Sequence, residues 1–266
     1  MYAFDYRRPA TLSDAERALN ALSGAKLLAG GQTLIPALKL RLNRPEALID
    51  LGGIAGLSDI ARKGDALAIG AMATHAQIAE SQAVAASIAG LGRLAEGIGD
   101  PQVRNRGTIG GSLANNDPAS DYPAAVLALN AKLATTKRTI AADDFFRGLF
   151  ATALADNEIL TEIAFPIPKR FAYAKFPNPA SRFALVGVAV AVMSTGVRVA
   201  VTGAGASGVF RIPAMEAALS KGFTPEALDG VKVDASGLAG DIHADAPYRA
   251  HLIGVMARRA VRSALR

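Results

Sequence analysis

The chain has 266 residues, enough to bury a sizeable core spread over two or three compact units. It contains no Cys and only three His, which excludes disulfides, thiolate zinc sites and iron–sulfur ligation within the chain. The formal charge of +6 comes from basic residues dispersed among few aromatics, a pattern of solvated or interface-facing surface rather than a nucleic-acid footprint.

Taken in chain order, Ala3–Pro9 reads as a short extended opening. Ser13-Asp14-Ala15-Glu16 has the form of a capping box and predicts a helix to about Leu22. Lys26-Leu27-Leu28-Ala29 predicts a buried strand that feeds a turn, Gly30-Gly31-Gln32-Thr33. A helix is expected over Leu34–Leu42, stopped before Pro45, and a strand over Ala47–Leu51. Residues 1–53 thus form a first βαβ-like unit.

A second unit, residues 54–166, opens with a strand at Ala66–Gly70. Thr74 is placed to cap a helix over His75–Glu80, and a longer helix is expected over Ser87–Ile98. The second glycine turn, Thr108-Ile109-Gly110-Gly111-Ser112, follows. After it come a predicted helix from Tyr122 to Leu129, a strand near Lys132–Thr136 and a terminal strand over Asn157–Pro166. Pro166 and Pro168 mark a boundary.

Residues 167–266 have a different texture. Two Val- and Ala-rich runs, Ala184–Val192 and Val197–Val201, flank Ser194-Thr195-Gly196, a hairpin signature. Helices are expected at Pro213–Ser220 and Tyr248–Leu265, giving an antiparallel sheet with helices on it. The run Phe183–Val197 is too short and glycine-rich to span a membrane, and no signal-peptide pattern is visible at the N-terminus, so a cytoplasmic location is expected. Gly203-Ala204-Gly205-Ala206-Ser207-Gly208 matches a dinucleotide fingerprint in letters only. Arg211-Ile212-Pro213 intervenes before any helix, and the preceding strand belongs to a hairpin.

Both glycine turns join small residues to a hydroxyl. Glycine admits positive φ and close backbone approach, and successive N–H groups in such a turn form a nest for anions. Two nests 80 residues apart suit the two phosphates of one dinucleotide. The sequence around them carries a resemblance. Ala29-Gly30-Gly31-Gln32-Thr33-Leu34-Ile35-Pro36, continuing through Lys39-Leu40-Arg41, resembles the first flavin motif of the FAD-binding medium subunits of molybdenum hydroxylases. The 19-residue run Val103–Asp121 resembles that family's second motif, and Asp241–Arg249 its C-terminal pattern.

The resemblance implies an α+β fold: a two-part FAD-binding domain of the vanillyl-alcohol-oxidase type and a C-terminal antiparallel-sheet-and-helix domain. It also implies an oxidoreductase subunit that passes electrons from 2Fe–2S clusters through FAD to an external acceptor. Molybdopterin would sit in a large partner subunit and the clusters in a small one, in a dimer of heterotrimers. FAD contacts are implied for Leu28, Ala29, Gly30, Gly31, Gln32, Thr33, Leu34 and Ile35, and for Thr108, Ile109, Gly110, Gly111 and Ser112. Asp121 is implied on the ribose side, though the same residue could simply cap the following helix. Asn115 and Asp117 could reach the cofactor or stabilise their loop as Asx turns. Leu160 and Lys175 match isoalloxazine contacts, and Phe183 matches a residue shielding one flavin face. Arg182 stands where relatives often carry an acid. No nucleophile–base set is apparent. The alternatives are a stand-alone flavoenzyme and a non-catalytic nucleotide-binding module.

Overall fold

The structure is a computed structural model describing residues 1–266. Its first layer holds β1 (Asp5–Arg7), α1 (Leu12–Ala21), β2 (Lys26–Leu28), α2 (Leu34–Lys39) and β3 (Ala47–Asp50). The three strands are parallel in the order β1-β3-β2, so β3 is central and buries Ala47, Leu48 and Ile49. Strand β2 is an edge strand and is only half-buried, not the buried strand its apolar letters suggest. Helix α1 starts before the expected box. Thr11, in extended backbone, caps it by accepting from Asp14 N at 3.1 Å, which leaves Ser13 inside the helix. Helix α2 ends at Lys39, short of Leu42, because Arg41 turns left-handed (φ 60°) and Leu42 N bonds Ala37 O at 2.9 Å. That is the Schellman closure, which satisfies the carbonyls of the last turn.

The second layer runs through β4 (Ile60–Lys63), β5 (Ala66–Gly70), α3 (His75–Glu80), α4 (Gln82–Glu96), α5 (Pro101–Arg106), α6 (Ile109–Asn115) and α7 (Tyr122–Ala128). It continues with β6 (Lys132–Thr135), β7 (Thr139–Ala141), α8 (Ala142–Phe145), β8 (Phe146–Gly148), β9 (Ala151–Thr152) and β10 (Leu160–Pro166). An antiparallel sheet, β4-β5-β10-β6-β7, aligns Ile163 with Ile69 on one side and Leu133 on the other. Thr74 caps α3 with a full capping box. Helix α4 begins at Gln82 under a Ser81 cap and kinks at Ile88 (φ −146°), which is why the sequence pattern suggests a start near Ser87. The second glycine motif is not a loop. It is the first turn of α6, and α5 precedes it under an Asp100 cap.

The third layer comprises β11 (Arg170–Pro177), β12 (Ala184–Met193), β13 (Gly196–Thr202), β14 (Phe210–Arg211), α9 (Pro213–Lys221) and α10 (Ala246–Ala264). The strands form one antiparallel sheet in chain order, and the expected hairpin pairs Met193 with Gly196. Both faces are covered. Ala189, Ala191 and Met193 point into the core shared with α4 and α7, while Val186, Val188 and Val190 point at α9 and α10. Period-two alternation with apolar residues on both faces explains the unbroken hydrophobic run. The fold is α+β. Arg249 ties α10 to the sheet: it is 3% exposed and donates to Leu185 O at 2.6 Å, Gly203 O at 2.7 Å and Asp241 Oδ2 at 2.6 Å. The Gly203–Gly208 stretch is the loop joining antiparallel β13 to β14, not a turn opening a helix.

Candidate functional site

A cavity of about 920 Å³ lies where the first layer meets the second. Its walls are the turn from β2 into α2, the α5–α6 region, and the segment from Thr152 to Leu160, with Ser181, Arg182 and Phe183 also lining it. The two glycine motifs touch each other there. A Cβ on Gly30 would lie 2.2 Å from Arg106 O and 2.7 Å from Gly107 Cα, so only glycine allows the contact. Gly110 packs against the segment after β5, where a Cβ would lie 2.5 Å from Ala71 O.

The motifs differ in what they offer a ligand. In the first, the backbone N–H groups of Gly30, Gly31, Gln32, Thr33 and Leu34 have no hydrogen-bond partner in the protein. All five residues line the cavity, Gly31 has φ 73°, and the Thr33 side chain makes no cap on α2. Such a row of free donors at a strand-to-helix turn is what an anionic group satisfies. In the second motif the donors are engaged within the protein. Ile109 N bonds Ala73 O (3.1 Å), Gly110 N bonds Ala71 O (2.8 Å), Gly111 N bonds Thr108 Oγ1 (3.1 Å) and Ser112 N bonds Thr108 O (3.0 Å). The expectation of two equivalent nests is corrected accordingly. Thr108 is a helix cap, and the α6 motif presents the side chains of Ser112 and Asn115.

Of the other residues that the sequence singles out, Ala29, Thr108, Gly110, Gly111, Ser112, Asn115, Asp117, Asp121, Leu160 and Phe183 line the cavity. Leu28, Ile35, Ile109 and Lys175 do not. Leu28 and Ile35 flank Gly31 from behind, and Ile109 is fully buried. Asp117 also accepts from Ala119 N at 2.9 Å, an Asx turn. Phe183 is 48% exposed rather than part of the core.

Asp121 stands at the start of α7 but makes no cap bond. Instead its buried carboxylate accepts from Tyr173 Oη at 2.5 Å and from Lys175 Nζ at 3.1 Å. Burial pushes this carboxyl up, against the downward pull of the Lys175 ammonium and the Tyr173 hydroxyl. The Lys175 ammonium also donates to Gly97 O at 2.8 Å, so it holds the carboxylate rather than reaching into the cavity.

Sequence reasoning misses several wall residues. Glu158 is held by Arg138 and by Ala155 N (3.0 Å), and the Arg138 guanidinium keeps its carboxyl at about 2. Its partners are scattered along the chain, so no local spacing betrays it. His75 lines the cavity with Nδ1 unpartnered, its ring 5.4 Å from that of Tyr122. Burial, with a smaller contribution from the Arg104 guanidinium, lowers its pKa to about 4, so the imidazole is neutral. Tyr173 has one readable signal: Gly187, a lone glycine inside the Val- and Ala-rich strand β12, where close approach is the usual reason.

A row of free backbone donors, a partly open cavity and a buried carboxylate on its wall suit a nucleotide cofactor in an α+β protein. Residues 2–168 match the family model described as the FAD binding domain in molybdopterin dehydrogenase. The chain is 38% identical to the nicotine 6-hydroxylase medium subunit of Paenarthrobacter nicotinovorans, over 97% of this chain and 96% of that protein. It is 36% identical to the carbon monoxide dehydrogenase medium chain of Hydrogenophaga pseudoflava, over 98% and 96% of the two. The solved carbon monoxide dehydrogenase from that organism superposes with a TM-score of 0.90, covering 99% of this chain and 98% of that one. Quinoline 2-oxidoreductase from Pseudomonas putida 86, at 28% identity, gives a TM-score of 0.84 over 99% and 97% of the chains.

The chain belongs to the FAD-binding medium subunits of molybdenum hydroxylases, a family of oxidoreductase components. Family membership brings FAD as the cofactor of this chain, which is the medium component of a multi-subunit molybdenum hydroxylase with small and large partner subunits. No helix of the chain is long and apolar enough to cross a membrane.

Proposed function

We propose that FAD lies along the cavity with its pyrophosphate against the turn Gly30–Leu34, and that this chain relays electrons from a partner's 2Fe–2S clusters to an external acceptor. The observation that carries the reading is the run of five unpartnered N–H groups on residues that line a cavity of about 920 Å³. A diphosphate supplies the acceptors those donors lack. Bound FAD supplies the ability to take up electrons one at a time and discharge them as a pair. The chain's own residues bind and orient. The Gly30–Gly107 contact locks the two motifs together, Ser112 and Asn115 offer side-chain hydrogen bonds, and Asp121 presents a fixed carboxylate. Phe183 lines the cavity with an aromatic side chain that is half exposed. The assembly proposed is a dimer of heterotrimers in the cytoplasm, with residues 1–53 and 54–166 as the two parts of the FAD domain and 167–266 as the C-terminal domain.

Equilibrium titration of the cofactor-stripped chain with FAD tests the site. One equivalent is expected to bind, and Gly30→Ala, which forces the motifs apart, is expected to weaken binding at least about tenfold, or about 1.4 kcal/mol. Unchanged affinity in that variant would place the pyrophosphate elsewhere.

A further inference from the structure

The contact between Tyr173 and Asp121 crosses a glycine. Tyr173 lies on β11, and its hydroxyl passes over Gly187 of the neighbouring β12 to reach Asp121 Oδ1 at 2.5 Å. A Cβ on Gly187 would sit 2.0 Å from that hydroxyl oxygen and 2.7 Å from Cζ, so any other residue there would evict the phenol. Val186 and Val188 on either side point to the other face of the strand, and on Gly187's own face Ala189 and Ala191 follow, so the phenol crosses β12 at its smallest residue. Lys175, two residues along β11 and therefore on the same face, holds the other oxygen, Oδ2, at 3.1 Å. One strand face thus grips both oxygens of a carboxylate that is 4% exposed and lines the cavity. Helix capping does not account for this, because Asp121 makes no bond to α7.

We propose that Tyr173 is a positioning residue for the flavin site: by bonding Asp121 across Gly187 it fixes the orientation and the charge of the carboxylate that faces the cofactor. The inference rests on the reading that the cavity holds FAD. The groups facing Asp121 are Lys175 and Tyr173 from β11 and Tyr122 from α7, whose ring has His75 of α3 against it and Arg104 beyond. Loss of the Tyr173 hydroxyl removes one of the influences that keep the buried carboxyl ionised, so Asp121 takes up a proton at higher pH and its freed oxygen can turn.

The test is FAD affinity as a function of pH for the full chain, Tyr173→Phe, Asp121→Asn and the double variant. Tyr173→Phe keeps the ring and should weaken binding roughly three- to tenfold, the cost of one charge-assisted hydrogen bond. It should also raise the pH at which affinity falls away on acidification. In the Asp121→Asn background the same substitution should change neither quantity, and the His75 titration is common to all four proteins. Affinity and pH profile identical to wild type in Tyr173→Phe would overturn the proposal, as would an equal loss in both backgrounds, which would mark plain packing. A wild-type chain that takes up no FAD would sink the flavin reading itself; a wild type that binds beside an unaltered Tyr173→Phe sinks only this inference.

Discussion

His75 is neutral in the folded chain because its ring is buried against the cavity wall, 5% exposed, with Nδ1 unpaired. Its folded pKa of about 4 lies below the unfolded value of about 6.5. A depressed folded pKa means the unfolded chain binds the extra proton, so the stability is whole above about pH 6.5 and drains away towards pH 4. The full difference is about 3 kcal/mol. Urea unfolding of the cofactor-free chain should therefore show stability falling with pH across that window, and His75→Phe should flatten that part of the curve. Glu158, held near 2, adds its own loss only below about pH 4.5. At this scale the sequence is informative where one backbone position decides the matter. Gly30 and Gly31 are readable as sites of close approach and positive φ. Whether a donor is free is not readable, because the partners of Gly110 and Ile109 lie on a segment about 40 residues earlier, at Ala71 and Ala73.

Among the elements, the last helix and its anchor give the clearest mechanical link. Arg249 joins α10 to the carbonyls of Leu185 and Gly203, at the ends of β12 and β13, and pairs with Asp241. Arg249→Ala leaves the buried Leu185 carbonyl and the partly buried Gly203 carbonyl without this donor and removes the ion pair to half-exposed Asp241, a loss of about 3 kcal/mol. For a chain of this size each kcal/mol lowers Tm by about 2–4 °C, so a drop of roughly 6–12 °C is expected by calorimetry. Arg249→Lys should recover only part of it, since Nη1 serves both carbonyls while Nη2 holds Asp241, and a single ammonium cannot occupy both places. The motif Asp241–Arg249 is visible in the sequence, yet its purpose is not, because its partners lie 46 and 64 residues away. Element identity is largely legible from capping and alternation: the Thr74 capping box and the β12–β13 hairpin both form where the residues place them. Ends are less so. Helix α2 stops at a left-handed Arg41 that no rule on side-chain type anticipates, and edge strand β2 looks buried by its letters because its open side faces the cavity.

The whole molecule is arranged around one groove. The parallel first layer supplies the free donors, the second layer supplies the opposite wall, and the C-terminal sheet reaches the site through Tyr173 and Lys175. That sheet shares the central core through Phe171, Ala189 and Ala191, so the C-terminal part braces the cavity as well as packing its own helices. With no Cys in the chain, clusters that feed electrons to this groove must come from another subunit. The central claim is that FAD in this groove passes on electrons taken from those clusters. Anaerobic rapid mixing of the FAD-loaded chain with its iron–sulfur partner subunit, previously reduced with dithionite and freed of excess reductant, tests it most directly. The flavin absorbance should bleach in proportion to the reduced clusters added, at rates of about 1 per second or faster. A flavin that stays oxidised in the presence of the reduced partner would contradict the relay.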